Sequence, residues 1–239
     1  MCGLGAARMK HAGPPGRGAM ECTKTYSSNP LYEGAKLTYL CPMTKGELRK
    51  IYLKKRLSLS EAEYLQLNLS ICKNFFDHIE LTGIKILHTF LPLEKNREPD
   101  TWPIIDQIKK QFPAIRISIP RVNTQTNTLE NFFYEGPEQV VKNSWEIPEP
   151  RYGIVSSSEE IQLVIVPMLI CDQQGHRVGY GKGFYDRFLA ACNPNCITVG
   201  ICFYEPINKI DDVNRFDVPL HYCVTPFKVH NFKQMAPVG

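Results

Sequence analysis

No run of apolar residues in this sequence approaches the ~20 that a membrane-spanning helix requires. The longest, Leu163 to Ile170, is broken by Pro167 and suits the buried end of a strand. Charge of one sign is also scarce. With 28 Lys and Arg against 24 Asp and Glu, the formal net charge is only +4, and it is too evenly spread to call for a polyanion such as DNA. No nucleic-acid or membrane partner is expected, and a small anionic ligand suits the balance. Cysteine pairs at redox or metal spacing are missing as well. The nine cysteines include no Cys-x-x-Cys and make an odd total, which argues against a disulfide framework and for reduced thiols in a cytoplasm. Cys192 and Cys196 can share a helix face, but no histidine accompanies them at ligand spacing, so they read as structural thiols rather than zinc ligands. His176 and His221 stand outside any carboxylate and serine arrangement that would signal a histidine-based catalyst.

What is present is the composition of one globular domain with a real core: 43% hydrophobic and 22% charged residues over 239 positions. The opening segment carries Gly13, Pro14, Pro15, Gly16 and Gly18 and has neither an apolar signal region nor a helical period, so residues 1–42 are expected to be a disordered extension. Acidic residues are absent before Glu21, as in organelle-targeting segments, yet glycine and proline oppose the amphipathic helix such a segment needs. The folded domain is expected over 43–230, with a tail over 231–239.

Periodicity divides that domain. Leu48, Ile51 and Tyr52 among six cations predict a basic amphipathic helix from Thr44 to about Leu57, with Thr44 as cap. Ser60 and Glu63 form a capping box for a second helix through Leu65, Leu69, Cys72 and Phe76, which Gly83 stops. Ile84 to Leu91 reads as a strand, Trp102 to Phe112 as a helix, and Ile115 to Ile119 as a strand ending at Pro120. Leu163 to Val166 and Ile197 to Phe203 are further apolar runs, with a helix from Phe184 to Cys192 as the crossover between them. Such continuous apolar runs predict an α/β domain, a mostly parallel sheet in three layers with helices on both faces.

The densest chemistry lies between Val166 and Arg187. A strand leads into a loop holding Gly175, Gly179, Gly181 and Gly183, and the loop leads into a helix. Closely spaced glycines leave successive backbone N–H groups unobstructed, and the start of a helix adds its positive dipole end, so the segment is built like a phosphate cradle. Arg177 and Lys182 supply cations beside it, and Asp186 is placed to hold Mg²⁺ against phosphates. The familiar phosphate fingerprints fail. A Walker A loop would need glycine at His176 and a hydroxyl residue at Gly183, and the dinucleotide fingerprint meets Phe184 where it needs glycine. A bland alternative is a tight βα turn with solvated charges.

The stretch from Gly175 to Arg187 resembles the GxRxGxGxGYYDR signature of the 5-formyltetrahydrofolate cyclo-ligase family, with Phe184 in place of the first tyrosine. Lys45 to Arg49 resembles that family's amino-terminal K-xxx-R element, and Glu98 to Thr101 its E-[IV]-[DE]-T element with Pro99 replacing the branched residue. Ile119 to Arg121, Trp145 to Pro150 and Asp217 to Pro226 are similar to further blocks in the same order, so the likeness runs from about Lys45 to Phe227. It implies a monomeric cytoplasmic enzyme that uses ATP and Mg²⁺ to close 5-formyltetrahydrofolate, with or without a polyglutamate tail, into 5,10-methenyltetrahydrofolate. It implies nucleotide contacts at Lys45, Arg49, Arg177, Val178, Gly179, Tyr180, Gly181, Lys182, Gly183, Phe184 and Tyr185. Folate contacts fall at Leu91, Glu98 and Tyr180 to Phe184, and magnesium at Asp186 and Asp217. Lys182, Arg177 and Tyr185 are the expected catalytic groups.

Without the resemblance, Lys45 and Arg49 would read as one solvated face of a cationic helix and Glu98 as a solvated loop carboxylate. Trp145 reads as packing ahead of a stacking platform, and Arg121 as either an anion contact or a structural cation. Two other function classes compete. A sugar-phosphate isomerase would bind phosphate without ATP or Mg²⁺, and the sensor domain of a transcription regulator would need a helix-turn-helix that the glycine- and proline-rich opening lacks.

Overall fold

The computed structural model describes residues 43–232; the expected extension over 1–42, and 233–239 of the expected tail, lie outside the described residues. Four helices, α1 (Lys45–Leu57), α2 (Glu61–His78), α3 (Trp102–Gln111) and α4 (Phe184–Ala191), accompany eleven strands. The strands are β1 (Ile86–Thr89), β2 (Arg116–Asn123), β3 (Thr128–Phe133), β4 (Val140–Lys142), β5 (Pro148–Pro150), β6 (Leu163–Pro167), β7 (Ile170–Cys171), β8 (Arg177–Val178), β9 (Ile197–Ile201), β10 (Tyr222–Val224) and β11 (Val229–Asn231).

Seven strands form one sheet in the order β11-β10-β9-β6-β1-β2-β3. The five inner strands run parallel, and only the edges β11 and β3 are antiparallel to their neighbours. Alternation along β6 shows the layering. Leu163 and Ile165 point into one core with Ile71 and Phe75 of α2 and Ile104, Ile105 and Ile108 of α3. Val164 and Val166 point into the other, with Leu48 and Tyr52 of α1 and Phe188 and Leu189 of α4. The sheet is therefore covered on both faces, which is why β1 and β6 at its centre are buried along nearly their whole length. The crossover from β6 to the adjacent β9 runs through α4, as expected.

The Ser60–Glu63 capping box forms, and Thr44 caps α1 as part of a second box with Glu47. Thr44 accepts from the Glu47 N–H and Ser60 from the Glu63 N–H, while each glutamate accepts back from the cap's own N–H. Three details differ from the expectation. α2 buries Asn68, Ile71, Cys72 and Phe75 and leaves Leu65 and Leu69 in solvent, so its inner stripe lies about one residue from the one read off the leucines. The helix ends at His78, with Ile79 as its extended C-cap, and Gly83 instead makes the left-handed turn into β1. β2 does not stop at Pro120 but continues to Asn123 and folds back as β3. Proline is tolerated because Asn131, opposite it, turns its carbonyl away from β2 to the Ser156 N–H at 2.9 Å. That pair is a non-hydrogen-bonded one, and β1 has already ended at the level of Ser118, so no ladder needs the missing N–H. β11 pairs with β10 through Asn231.

Connections fix where a site can form. From β1 the chain crosses through α3 to β2 on one side, and from β6, on the other side of β1, it crosses through α4 to β9. The strand order reverses between β1 and β6, and the crevice beyond their carboxyl ends is where open α/β sheets bind ligands.

Candidate active site

A cavity of about 1190 Å³ opens at that reversal point, lined by Phe90 and Leu91 beyond β1, Pro120 and Val122 at the end of β2, and Pro167 at the end of β6. Ligand sites run to roughly 300–1,000 Å³, so this one lies just above that range. The glycine-rich segment forms its inner wall. β7 and β8 pair as a short hairpin whose turn is held by the buried Asp172 carboxylate, which accepts from the N–H groups of Gln174, His176 and Ile210. Gly175 turns there at φ 84°, where a Cβ would sit 2.7 Å from the Leu220 carbonyl oxygen.

Past β8 the chain runs through Gly179 to Gly183 into α4. None of these five N–H groups donates to a protein acceptor among the described residues, while all five residues line the cavity. Gly181, at φ 87°, lies under Arg49, whose Nη2 is 2.9 Å from where a Cβ would stand, and Arg49 Nε donates to the Gly179 carbonyl at 2.8 Å. At the loop's far end Gly183 precedes α4 at φ 68°. Arg187 holds that end by donating to the Lys182 carbonyl and to that of Asn127 in the β2–β3 turn. The Lys182 side chain itself is exposed and has no hydrogen-bond or ion-pair partner among the described residues.

Two ion pairs stand at the mouth. Arg177, almost fully buried, donates to Asp186 Oδ1 at 2.6 Å and to the Val218 carbonyl. Burial lowers its pKa, and Asp186 and Asp217 counter the shift. Lys45 Nζ pairs with Asp217 Oδ2, which also accepts from the Asn214 N–H. Partial burial opposes the Asp217 charge, but Lys45 and that N–H outweigh it and bring the carboxyl below its ordinary range. Asp186 Oδ2 and Asp217 Oδ1 keep no protein partner among the described residues. Mg²⁺ is typically held by one or two carboxylates together with phosphate oxygens and water, and these two oxygen donors fit it. No cluster of three or more His, Cys, Asp or Glu exists among the described residues for a fully protein-held ion.

A second polar group lies deeper. Glu98 is 4% exposed; its Oε1 accepts from the Tyr180 hydroxyl at 2.6 Å and its Oε2 from the Leu93 N–H at 2.8 Å. Burial raises its pKa, against the opposing pull of Tyr180, Arg56 and Leu93. The Tyr185 hydroxyl, raised by burial, meets His88 Nε2 at 3.4 Å. Full burial pushes His88 down to about 3, so its ring is neutral.

Of the positions expected from the sequence, Lys45, Arg49, Leu91, Glu98, Arg177, Gly179 to Tyr185, Asp186 and Asp217 all line this cavity. Val178 does not; its side chain is wholly buried in β8. Trp145, read as packing, is instead 51% exposed and stands on the lining. Arg121 resolves as structural, paired through Nε and Nη2 with Glu130 and stacked over Phe132. His176 does have a carboxylate neighbour, Asp172 at 3.3 Å, away from the cavity. The six described cysteines are all free and buried. Arg56, Arg187, Asn127 and Phe216 were not singled out in the sequence, and only the tertiary arrangement reveals them.

The arrangement defines a doubly wound α/β enzyme with a glycine-rich loop lining a cavity at the sheet's switch point. The chain belongs to the 5-formyltetrahydrofolate cyclo-ligase family, whose sequence model matches residues 42–226, and it is accordingly a ligase. It is 32% identical over 178 residues to the mouse 5-formyltetrahydrofolate cyclo-ligase, covering 70% of this chain and 86% of that one. It is 27% identical over 202 residues to a probable 5-formyltetrahydrofolate cyclo-ligase of Schizosaccharomyces pombe, covering 78% and 97%. Among solved structures it is similar to the Aquifex aeolicus 5,10-methenyltetrahydrofolate synthetase, with a TM-score of 0.68 at 26% identity over 80% of this chain and 94% of that one.

Proposed function

We propose that this protein converts 5-formyltetrahydrofolate to 5,10-methenyltetrahydrofolate at the cost of ATP, releasing ADP and phosphate. The observation that carries the ATP half is the row of five N–H groups from Gly179 to Gly183 that have no acceptor among the described residues, with the Lys182 side chain likewise unpaired among them. Such a row receives phosphate oxygens without displacing any protein bond. Lys45 and Arg49 flank it from α1, and the cavity's size leaves space for the folate toward Leu91, Glu98 and Trp145.

The formyl oxygen is a poor leaving group, so the γ-phosphoryl is transferred to it. N10 then attacks the formyl carbon and gives up its proton, and the oxygen departs as phosphate while the ring closes. No protein nucleophile takes part. Positioning and cations matched to the spreading negative charge are what accelerate such a transfer. Lys182 supplies a mobile cation and Arg49 orients the loop. Arg177, held by Asp186 and the Val218 carbonyl, fixes the start of α4. Asp186 and Asp217 would hold Mg²⁺, which contributes neutralisation of the phosphates when bound. The same reading takes the protein to act as a monomer in the cytoplasm, on folates with or without a polyglutamate tail, through a folded domain that begins near Met43.

Purified protein mixed with 5-formyltetrahydrofolate, Mg²⁺ and ATP should develop methenyl-folate absorbance, and leaving out any one component should abolish it. Turnover without ATP would overturn the reading.

A further inference from the structure

Arg56 ends the cationic run of α1, yet it is only 2% exposed. Its Nη1 donates to the Met168 carbonyl at 3.4 Å and its Nη2 to the Tyr180 hydroxyl, while Nε is buried without a partner among the described residues. No carboxylate pairs with it directly among the described residues. A guanidinium withdrawn from water on these terms is costly, and packing alone does not account for it, since methionine would fill similar space.

The hydrogen bonds say where the charge is directed. Tyr180 has one hydroxyl proton and gives it to Glu98 Oε1 at 2.6 Å, so it receives from Arg56. Glu98 Oε2 accepts from Leu93. Each contact on the carboxylate is thus a donor, and a protonated Glu98 would set its own O–H against one of them. We propose that Arg56 is a positioning residue of the folate half of the cavity, acting through the Tyr180 hydroxyl to hold the Glu98 carboxylate as an acceptor for N–H groups on the substrate's heterocycle. This rests on the reading of the function given above. Arg56 does not line the cavity, whereas Tyr180 and Glu98 do.

The charged and titratable groups that face Glu98 are Arg56 from α1, Tyr180 from the glycine loop and Tyr185 from α4. Tyr64 of α2 donates to its main-chain carbonyl, and the neighbouring Arg97 pairs outward with Glu61. Arg56 is the only cation in this set among the described residues, so losing it leaves burial unopposed by charge.

The test is steady-state kinetics of Arg56→Met, Arg56→Lys, Tyr180→Phe and Glu98→Gln with 5-formyltetrahydrofolate and ATP. Arg56→Met should raise the folate KM about tenfold or more, leave the ATP KM within about twofold, and move the acidic limb of kcat/KM to higher pH. Arg56→Lys should recover part of the loss, and Arg56→Met added to Glu98→Gln should cost little more than Glu98→Gln alone. An unchanged folate KM and pH limb in Arg56→Met, equal rises in both KM values, or full additivity with Glu98→Gln would overturn the proposal while the activity itself stood. Should Arg56→Met fail to fold, Tyr180→Phe decides: it should show the same folate-selective rise, and a normal folate KM rejects the proposal. A wild-type protein that turns over no formyl-folate would remove the functional reading and this proposal together.

Discussion

Lys182 and Glu98 occupy opposite situations in one cavity, and each supports a different measurement. Lys182 has an exposed side chain with no partner among the described residues, so removing it deletes a charge without breaking a contact seen among them. A single donor aimed at developing charge is typically worth about 3 kcal/mol. Lys182→Ala should therefore lower kcat roughly 10²-fold with a smaller change in ATP binding, and near-normal turnover would refute its assigned role. Glu98 is held in the fold with its pKa raised by burial. Between the ordinary carboxylate range and that raised value, the folded state binds more protons than the unfolded chain, so the group's contribution to stability is present at acid pH and lost as pH rises through the folded value. Melting curves from about pH 4 to 8 should show wild type losing stability relative to Glu98→Gln as pH increases; parallel curves would mean that Glu98 is unperturbed. The glycines, Lys182 and the two aspartates were legible because residue type and spacing carry their chemistry locally. Arg56 was not, because in sequence it closes a run with Lys54 and Lys55, and only the packing of α1 against the Met168 and Tyr180 segments separates it from its solvated neighbours.

Helices α1 and α2 show how far periodicity reaches at the next scale. The Thr44 cap and the Ser60–Glu63 capping box were readable because a cap is a contact across three residues, whereas the reciprocal Glu47 contact of α1 came from the structure. The buried face of α2 was not, because two stripes compete on one helix: Leu65, Leu69 and Phe76 against Asn68, Ile71 and Phe75, with Cys72 near both. The second wins because Ile71 and Phe75 meet α3 and the sheet, leaving Leu65 and Leu69 more than half exposed. Urea denaturation should separate them: Phe75→Ala should cost about 3–5 kcal/mol, whereas Leu69→Ser should stay within about 0.5 kcal/mol. Equal losses would place the leucine stripe in the core. The β2–β3 hairpin escaped notice for a related reason, since proline reads as a terminator unless one knows that its nitrogen, which has no hydrogen to donate, faces no acceptor on a neighbouring strand.

Across the whole molecule, segments far apart in sequence meet at the mouth of one cavity, and the two ion pairs there are not equivalent. Arg177 and Asp186 lock β8 to α4, with the arginine side chain 6% exposed. Removing Asp186 would strand a buried charge at about 3–5 kcal/mol, so its loss would confound metal binding with folding. Lys45 and Asp217 join α1 to the loop before β10, and both side chains retain some exposure, so Asp217→Asn is the cleaner probe. A ligand at about 100 times its Kd stabilises the folded state by about 2.7 kcal/mol, and for a domain of this size each kcal/mol shifts Tm by roughly 2–4 °C. ATP with Mg²⁺ should therefore raise Tm by roughly 5–10 °C, and ATP with a chelator by less. In Asp217→Asn the difference between those two conditions should shrink while the chelator value holds. A shift of equal size with and without Mg²⁺ in the wild type would show that the paired carboxylates do not carry the ion, and Lys45 would then be Asp217's partner throughout the cycle.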